Sequence, residues 1–232
     1  SSGKQPMFSS NGQCVIVFNG EINNFGEIRK ELLKKGHLFR TVSDTEVILN
    51  SYLEWGLDCL DRFNGMFAFA LWDKASRKLW IARDRLGKKP IYLWFSKGMF
   101  LFASEAKSIW NLPFFEGTYD FRAVDQYLTF RYVPGERTFH KEIKKLLAGH
   151  WILLDDKARI VQKKQWWSIP SRREAVARKS LQAYSDEFQQ LFSSAVKLRL
   201  IADVPLGAFL SSGIDSVSIA SEMAKVSRPT FF

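Results

Sequence analysis

The sequence predicts an α+β fold, an antiparallel sheet covered by helices, followed by the opening of an α/β domain. Four strand-like runs succeed one another between residues 66 and 103 with turn signals between them, and helical periodicity flanks them. Beyond residue 200 the pattern changes to a small apolar strand, a glycine-containing loop and a helix. The 232 residues suffice for one large domain, or for one domain and part of a second. With 46% hydrophobic and 15% aromatic residues, a packed core is easily supplied.

Taken in order, Cys14-Val15-Ile16-Val17-Phe18 is a β-branched and aromatic run closing on Asn19-Gly20, which predicts a buried strand ending in a tight turn. Phe25, Ile28, Leu32 and Leu33 recur at helical spacing between Asn24 and Lys35, and Gly36 stops that helix. Ser43 or Asp44 can cap a second helix, with Glu46 in its first turn and Gly56 at its end. The runs Met66 to Trp72, Leu79 to Arg83, Ile91 to Phe95 and Met99 to Ala103 are strands, with turns at Asp73-Lys74, Leu86-Gly87-Lys88 and Lys97-Gly98. A helix is predicted from Arg122 to Thr129, and strands from His150 to Leu154 and Ile160 to Trp166. The domain boundaries expected are 1–167 for the first domain, 168–180 for a polar linker with Pro170, and 181–232 for the start of the second. In the second, Leu181 to Leu200 is an amphipathic helix, Pro205 to Leu210 a strand, and Ser216 to Val226 a helix.

Composition narrows the functional classes. Cys14 and Cys59 are far apart, with no metal-ligand spacing, and each reads as a small buried hydrophobe, which predicts a reducing, cytoplasmic setting. No apolar run reaches the roughly 18 residues of a membrane span, and the start has no signal-peptide pattern. The net charge of +10 is concentrated between Lys141 and Lys179, including Lys163-Lys164, Arg172-Arg173 and Arg178-Lys179. No RNA- or DNA-binding motif accompanies it, so it reads as a solvated basic segment, and no nucleic-acid partner is expected. His37, His140 and His150 are scattered, and no protein metal site is predicted.

Two segments carry chemistry. Ser211-Ser212-Gly213-Ile214-Asp215-Ser216 lies between a strand and a helix, so backbone N–H groups and hydroxyls gather at a helix N-terminus that favours anionic oxygens. It lacks the lysine of a G-x-x-x-x-G-K-[ST] loop. Asn19 and Gly20 offer a side-chain amide and an unshielded backbone N–H, the donors a tetrahedral oxyanion needs. The same residues also fit a plain strand-end turn, as Asp44 fits a helix cap. Arg83-Asp84-Arg85 reads as an ion-paired structural corner between two strands.

Several blocks in register resemble the glutaminase domain of the glutamine-hydrolysing asparagine synthetases, a class II amidotransferase family. They are Val17-Phe18-Asn19-Gly20-Glu21-Ile22, Ser43-Asp44-Thr45-Glu46, Arg83 to Pro90, Phe102-Ala103-Ser104-Glu105 and Tyr132-Val133-Pro134-Gly135. The loop at 211–216 resembles the SGGxDS pyrophosphate loop of the N-type ATP pyrophosphatases. The resemblance implies an N-terminal-nucleophile hydrolase αββα sandwich, incomplete at its start, and then a Rossmann-like ATP-pyrophosphatase domain. It implies Asn19 and Gly20 as the oxyanion hole and Glu21 and Asp44 as acceptors for the glutamine ammonium. It implies Ser211, Ser212, Gly213, Asp215 and Ser216 as the grip on ATP pyrophosphate with Mg2+, with the backbone at Leu210 meeting the adenine. Glutamine, aspartate and ATP are the implied substrates, giving asparagine, AMP and pyrophosphate; a homodimer is allowed.

Departures are equally legible. The family's nucleophile is an N-terminal cysteine whose own amine acts as base. The resemblance places it upstream of Ser1, so this chain alone is expected to be inactive. Ser212 stands where the pattern has glycine, and Asn23 where the family has tyrosine. A related amidotransferase acting on a sugar acid or peptide carboxylate, or a non-catalytic paralogue, therefore remains an alternative.

Overall fold

The computed structural model describes residues 3–96, 98–170, 179–202, 204–226 and 230–231. The chain divides into two units, Ser1–Ile169 and Pro170–Phe232. In the first, nine strands and four helices are described: β1 (Met7–Phe8), β2 (Cys14–Ile22), α1 (Phe25–Lys34), α2 (Asp44–Trp55), β3 (Gly65–Asp73), β4 (Lys78–Arg83), β5 (Tyr92–Ser96), β6 (Met99–Ala103), α3 (Lys107–Trp110), α4 (Phe121–Phe130), β7 (Ile143–Lys145), β8 (His150–Asp155) and β9 (Ile160–Gln165). A 3-10 turn over Gly56–Arg62 follows α2 directly.

These strands form two antiparallel sheets, one ordered β1-β2-β3-β4-β8-β9 and one ordered β6-β5-β7. Period-two alternation builds the layers. On β3, Phe67, Phe69 and Leu71 join Ile28 and Leu32 of α1 and Val47 and Ile48 of α2 in one core. The intervening Ala68 and Ala70 face the other sheet, where they pack with Ile91, Leu93, Phe100 and Phe102. The outer face of the second sheet packs Trp94 and Ile143 on Ile109 of α3. The result is the αββα sandwich, helices outside and two sheets inside. Swapping the register of β3 by one residue would bring its phenylalanines between the sheets, so this arrangement is strongly specified.

Local chemistry explains most boundaries. Ser43 accepts the Thr45 N–H at 3.2 Å and so caps α2, and Gly56 ends it with φ of 59°. One expectation fails: Asn19-Gly20 is no turn. β2 runs on to Ile22, with Asn19 opposite Ala68 and Gly20 opposite Phe67. Glycine serves close approach here. Its φ is 149°, and a Cβ would sit 2.1 Å from the Met66 carbonyl oxygen. Ladder pairing with β3 overrides the turn preference of the dipeptide.

The second unit contains α5 (Leu181–Leu198), β10 (Gly207–Ala208), α6 (Ile214–Val226) and β11 (Thr230–Phe231). β10 and β11 pair in parallel across the helix, a β-α-β unit that opens an α/β domain. The strand predicted over Pro205 to Leu210 shrinks to two residues, and the helix starts at Ile214 rather than Ser216. α5 and α6 are tied through the buried Glu222, which accepts from Ser193 Oγ and, at 3.2 Å, from Gln189 Nε2. Most of the expected linker, with Arg172, Arg173 and Arg178, lies outside the described residues, as does Lys97 of one predicted turn. No described helix is long and apolar enough to cross a membrane.

Candidate active site

The chemistry gathers on β2. Cα pairing with β3 and strand alternation fix the direction of each backbone group. The N–H of Phe18 leaves the sheet to the Gln5 side-chain oxygen at 2.6 Å, and the N–H of Ile22 leaves it to Asp44 Oδ2 at 3.0 Å. Gly20 sits midway between them, so its N–H points to the same edge, in the gap between Gln5 and Asp44. β1 pairs only with Val15 and Ile16 and stops short of this gap.

Asn19 is exposed at the rim of a pocket of about 190 Å³ between the two sheets, lined also by Gln5, Ala68, Ala70, Phe102 and Ser104. Its Nδ2 donates to Ser104 Oγ at 3.3 Å. One amide hydrogen is thereby engaged across the sandwich and the second is left for a ligand.

At the end of the same strand lie Glu21, exposed, and Asp44, the first residue of α2. They are electrostatic neighbours. Burial first, and the Glu21 charge in addition, raise the Asp44 carboxyl above the usual aspartate value, against the lowering effect of the Ile22 and Thr45 N–H groups. Among the described residues neither acid has a cationic partner in ion-pair range. Two carboxylates without a cation, one of them partly desolvated, form a site that an ammonium would satisfy. Neither lines the 190 Å³ pocket itself; they flank its strand.

The supports are backbone-built. Glu46, 3% exposed, accepts the N–H of Arg40 (2.9 Å) and Thr41 (2.7 Å) and the Thr41 hydroxyl (2.6 Å), fixing the loop that delivers Asp44. Among the described residues the Arg83-Asp84-Arg85 corner shows no salt bridge, where the sequence suggested one. Asp84 accepts four N–H groups, from Phe67, Leu86, Lys88 and Lys89, and Arg83 donates to the carbonyls of Gly87, Lys89 and Leu146. The turn over residues 86–89 supplies most of these main-chain groups, and Phe67 and Leu146 supply the others. Asn23 is buried at the end of β2, its N–H held by the Asn64 carbonyl at 2.8 Å.

Neither cysteine fits a nucleophile. Both are buried. Burial lifts Cys14 to about 11, and it lifts Cys59 further still, so both remain thiols at neutral pH.

In the second unit, considered by itself, the loop at 211–216 is exposed apart from the half-buried Ser216 and is held by its own hydroxyls. Ser211 Oγ and Ser216 Oγ lie 2.7 Å apart, and the N–H groups of Ser211 and Gly213 donate to Ser216 Oγ (3.3 Å) and Ser211 Oγ (3.2 Å). Ser212 is not among the residues of positive φ, so serine carries no backbone strain there. Asp215 lies in the first turn of α6, and Leu210 is 49% exposed before the loop. Among the described residues no group of three or more His, Cys, Asp or Glu could hold a metal.

Sequence reasoning missed Gln5 and assigned no role to Ser104. Gln5 reaches β2 across 13 residues and Ser104 meets Asn19 across 85, contacts with no local signal.

Comparison with known proteins identifies the family of each unit. Residues 1–167 match the glutamine amidotransferase domain family, and residues 187–231 match asparagine synthase. Glutamine-hydrolysing asparagine synthetase 3 of Bacillus subtilis is 36% identical over 226 residues, covering 94% of this chain and 35% of the relative. A putative asparagine synthetase of Mycobacterium tuberculosis is 38% identical over 214 residues, covering 89% and 32%. A putative asparagine synthetase of Methanocaldococcus jannaschii is 35% identical over 211 residues, covering 90% and 40%. The chain thus spans about a third of the length of these relatives. The solved allosteric regulatory enzyme of purine biosynthesis shares the fold, with a TM-score of 0.50 at 15% identity over all of this chain and 47% of that one.

Proposed function

The chain belongs to the glutamine amidotransferase family through residues 1–167, and from that premise we propose that its first unit binds glutamine for transfer of the amide nitrogen. The observation that carries this reading is the Gly20 N–H aimed into the gap between Gln5 and Asp44, next to the Asn19 amide. In the proposed reaction a thiolate attacks the carboxamide carbon of glutamine and the carbonyl oxygen becomes an oxyanion. Asn19 Nδ2 and the Gly20 N–H receive that charge, each such donor contributing roughly 3 to 4 kcal/mol when judged by deletion. The proton removed from the thiol passes to the amide nitrogen, ammonia departs to leave a thioester, and water then releases glutamate and restores the thiol. Glu21 and Asp44 hold the substrate ammonium throughout. The apolar wall of the inter-sheet pocket, with Ala68, Ala70, Ile91 and Phe102, gives ammonia a path away from water. Because Cys14 and Cys59 are buried thiols, this chain by itself is proposed to bind glutamine without hydrolysing it.

The second unit is proposed to hold the pyrophosphate of ATP. Its loop presents hydroxyls and the N-terminus of a 13-residue helix, which suits anionic oxygens, and a Cβ on Gly213 would meet only Ser211 Oγ at 3.4 Å and Ser216 Oγ at 3.9 Å, so a ligand has room to approach. Asp215, in the first turn of α6, is the acid proposed to help place the magnesium-bound phosphates. Mg2+ commonly keeps one or two protein carboxylates and takes its remaining ligands from phosphate and water. In a protein joining this chain to a nucleophile and an acceptor domain, ATP would adenylate the β-carboxyl of aspartate and ammonia would displace AMP to give asparagine.

Calorimetric titration of the chain with L-glutamine tests the first half. Binding should survive Asn19→Ala, since that amide acts on the transition state, and should fall at least about tenfold in Asp44→Asn, where an ammonium loses its charged acceptor. No binding, or equal binding in Asp44→Asn, would overturn the reading. Pyrophosphate binding that is lost in Ser211→Ala/Ser216→Ala tests the second half.

A further inference from the structure

A second cavity, of about 560 Å³, lies on the outer face of the β6-β5-β7 sheet. It is larger than the inter-sheet pocket and shares with it the single lining residue Ser104. Its volume falls in the range of small-molecule sites. Tyr92 and Lys145 are opposite one another in the β5–β7 register, so their side chains emerge on the same face. Trp110 at the end of α3, Tyr127 of α4, Tyr132 and Phe139 complete an aromatic lining.

The charge on this lining is one-sided. Lys107, Arg131, Arg137 and Lys145 line it, against the single acid Glu105. Glu105 pairs with Lys107 at 2.5 Å, and Arg137 pairs with Asp120 at 2.6 Å. Lys145 Nζ donates to the Val133 carbonyl, and neither it nor Arg131 has a carboxylate partner among the described residues. Arg131 is also conformationally unusual. It closes α4 with φ of 60°, a left-handed position where glycine is the ordinary choice. The guanidinium is thus carried at this cavity at a backbone cost that glycine would remove.

We propose that this cavity binds a planar aromatic anion, its ring among Trp110, Tyr127 and Tyr132 and its phosphate or carboxylate on Lys145 and Arg131. Flat rings suit an aromatic lining, and an anion would supply the carboxylate or phosphate that both cations lack. Burial, with the Arg83 charge nearby, pulls the Lys145 ammonium below the usual lysine range, a penalty that a bound anion would offset.

The test is calorimetric titration of the chain with 1-naphthyl phosphate, 1-naphthoate, 1-naphthol and inorganic phosphate. One equivalent of at least one of the two naphthyl anions should bind, and the preference between them identifies the headgroup. Naphthol and inorganic phosphate should each bind at least about tenfold more weakly, because each lacks half of the recognised chemistry. Arg131→Gly keeps the helix cap in the residue type best suited to it, so the protein stays folded, and affinity should fall about tenfold with the loss of one charged contact. Lys145→Met should do the same. Ser211→Ala/Ser216→Ala and saturating L-glutamine should both leave binding unchanged, which separates this cavity from the phosphate loop and the glutamine site. Naphthol binding as well as the anions, affinity indifferent to both Arg131→Gly and Lys145→Met, or loss of binding in the serine double variant would each overturn the proposal.

Discussion

The two candidate sites are held in opposite ways. Around Gly20 three candidate groups are fixed by tertiary structure: the strand is clamped against Met66, the Asn19 amide is tied to Ser104 on the other sheet, and Asp44 is anchored through the Ile22 N–H. The phosphate loop is held by its own hydroxyls within six residues, and it is exposed throughout apart from the half-buried Ser216. Preorganisation by a whole sandwich makes the first site intolerant of change. Preorganisation by local hydrogen bonds makes the second forgiving, and that is why Ser212 can replace glycine without strain.

Glycine replacement gives the largest contrast. Gly20→Ala places a Cβ 2.1 Å from a backbone oxygen at positive φ, so the β2–β3 ladder must break, and a loss of about 3 kcal/mol or more is expected in urea unfolding. Gly213→Ala meets only ordinary contacts, at 3.4 and 3.9 Å, and should move stability by less than about 0.5 kcal/mol. Comparable losses at the two positions would break the distinction.

Next in size is the pH behaviour of Asp44. Its folded value is raised by burial and then by Glu21. The stability it contributes is therefore full below the ordinary aspartate value and is lost as pH rises through the raised one. Glutamine affinity should run the other way, growing over the same window as the carboxylate forms. Asp44→Asn should flatten both profiles while keeping an acceptor for the Ile22 N–H. Profiles unchanged by the substitution would assign the titration to another group.

The smallest effects belong to the loop. Ser216→Ala removes the hydroxyl shared by Ser211 and Gly213 and should cost about 1 kcal/mol, the usual size of a hydrogen-bond deletion, on thermal unfolding. Ser212→Gly should shift pyrophosphate affinity by less than about threefold, since glycine relieves no strain at an unstrained position. A larger gain would show that the serine does crowd the ligand.

Much of this was legible in the chain. The alternation in Phe67-Ala68-Phe69-Ala70-Leu71 assigns one face to the helices and the other to the second sheet. Ser43 and Gly56 mark the ends of α2 through cap chemistry. Illegible features were those decided by distant partners. β7 has three residues and gains its strand character only from pairing with β5. Asn19-Gly20 carries a turn signal that nine paired residues outvote. The Arg83 corner offers opposite charges in sequence, yet main-chain groups from residues 87, 89 and 146 satisfy the guanidinium first. Asn19, Gly20, Glu21 and Asp44 of the candidate site were proposed from their sequence blocks, whereas Gln5 and Ser104 join them only through folding.

The brevity of β1 has a wider consequence. Its register sets Met7 opposite Ile16; carried backward, it would set Gly3 opposite Gly20. Four more paired residues would consume the very amide on which oxyanion binding is proposed to rest. The proposed oxyanion position is thus an unfinished seam, and a neighbouring strand that completed it would compete with substrate through backbone alone.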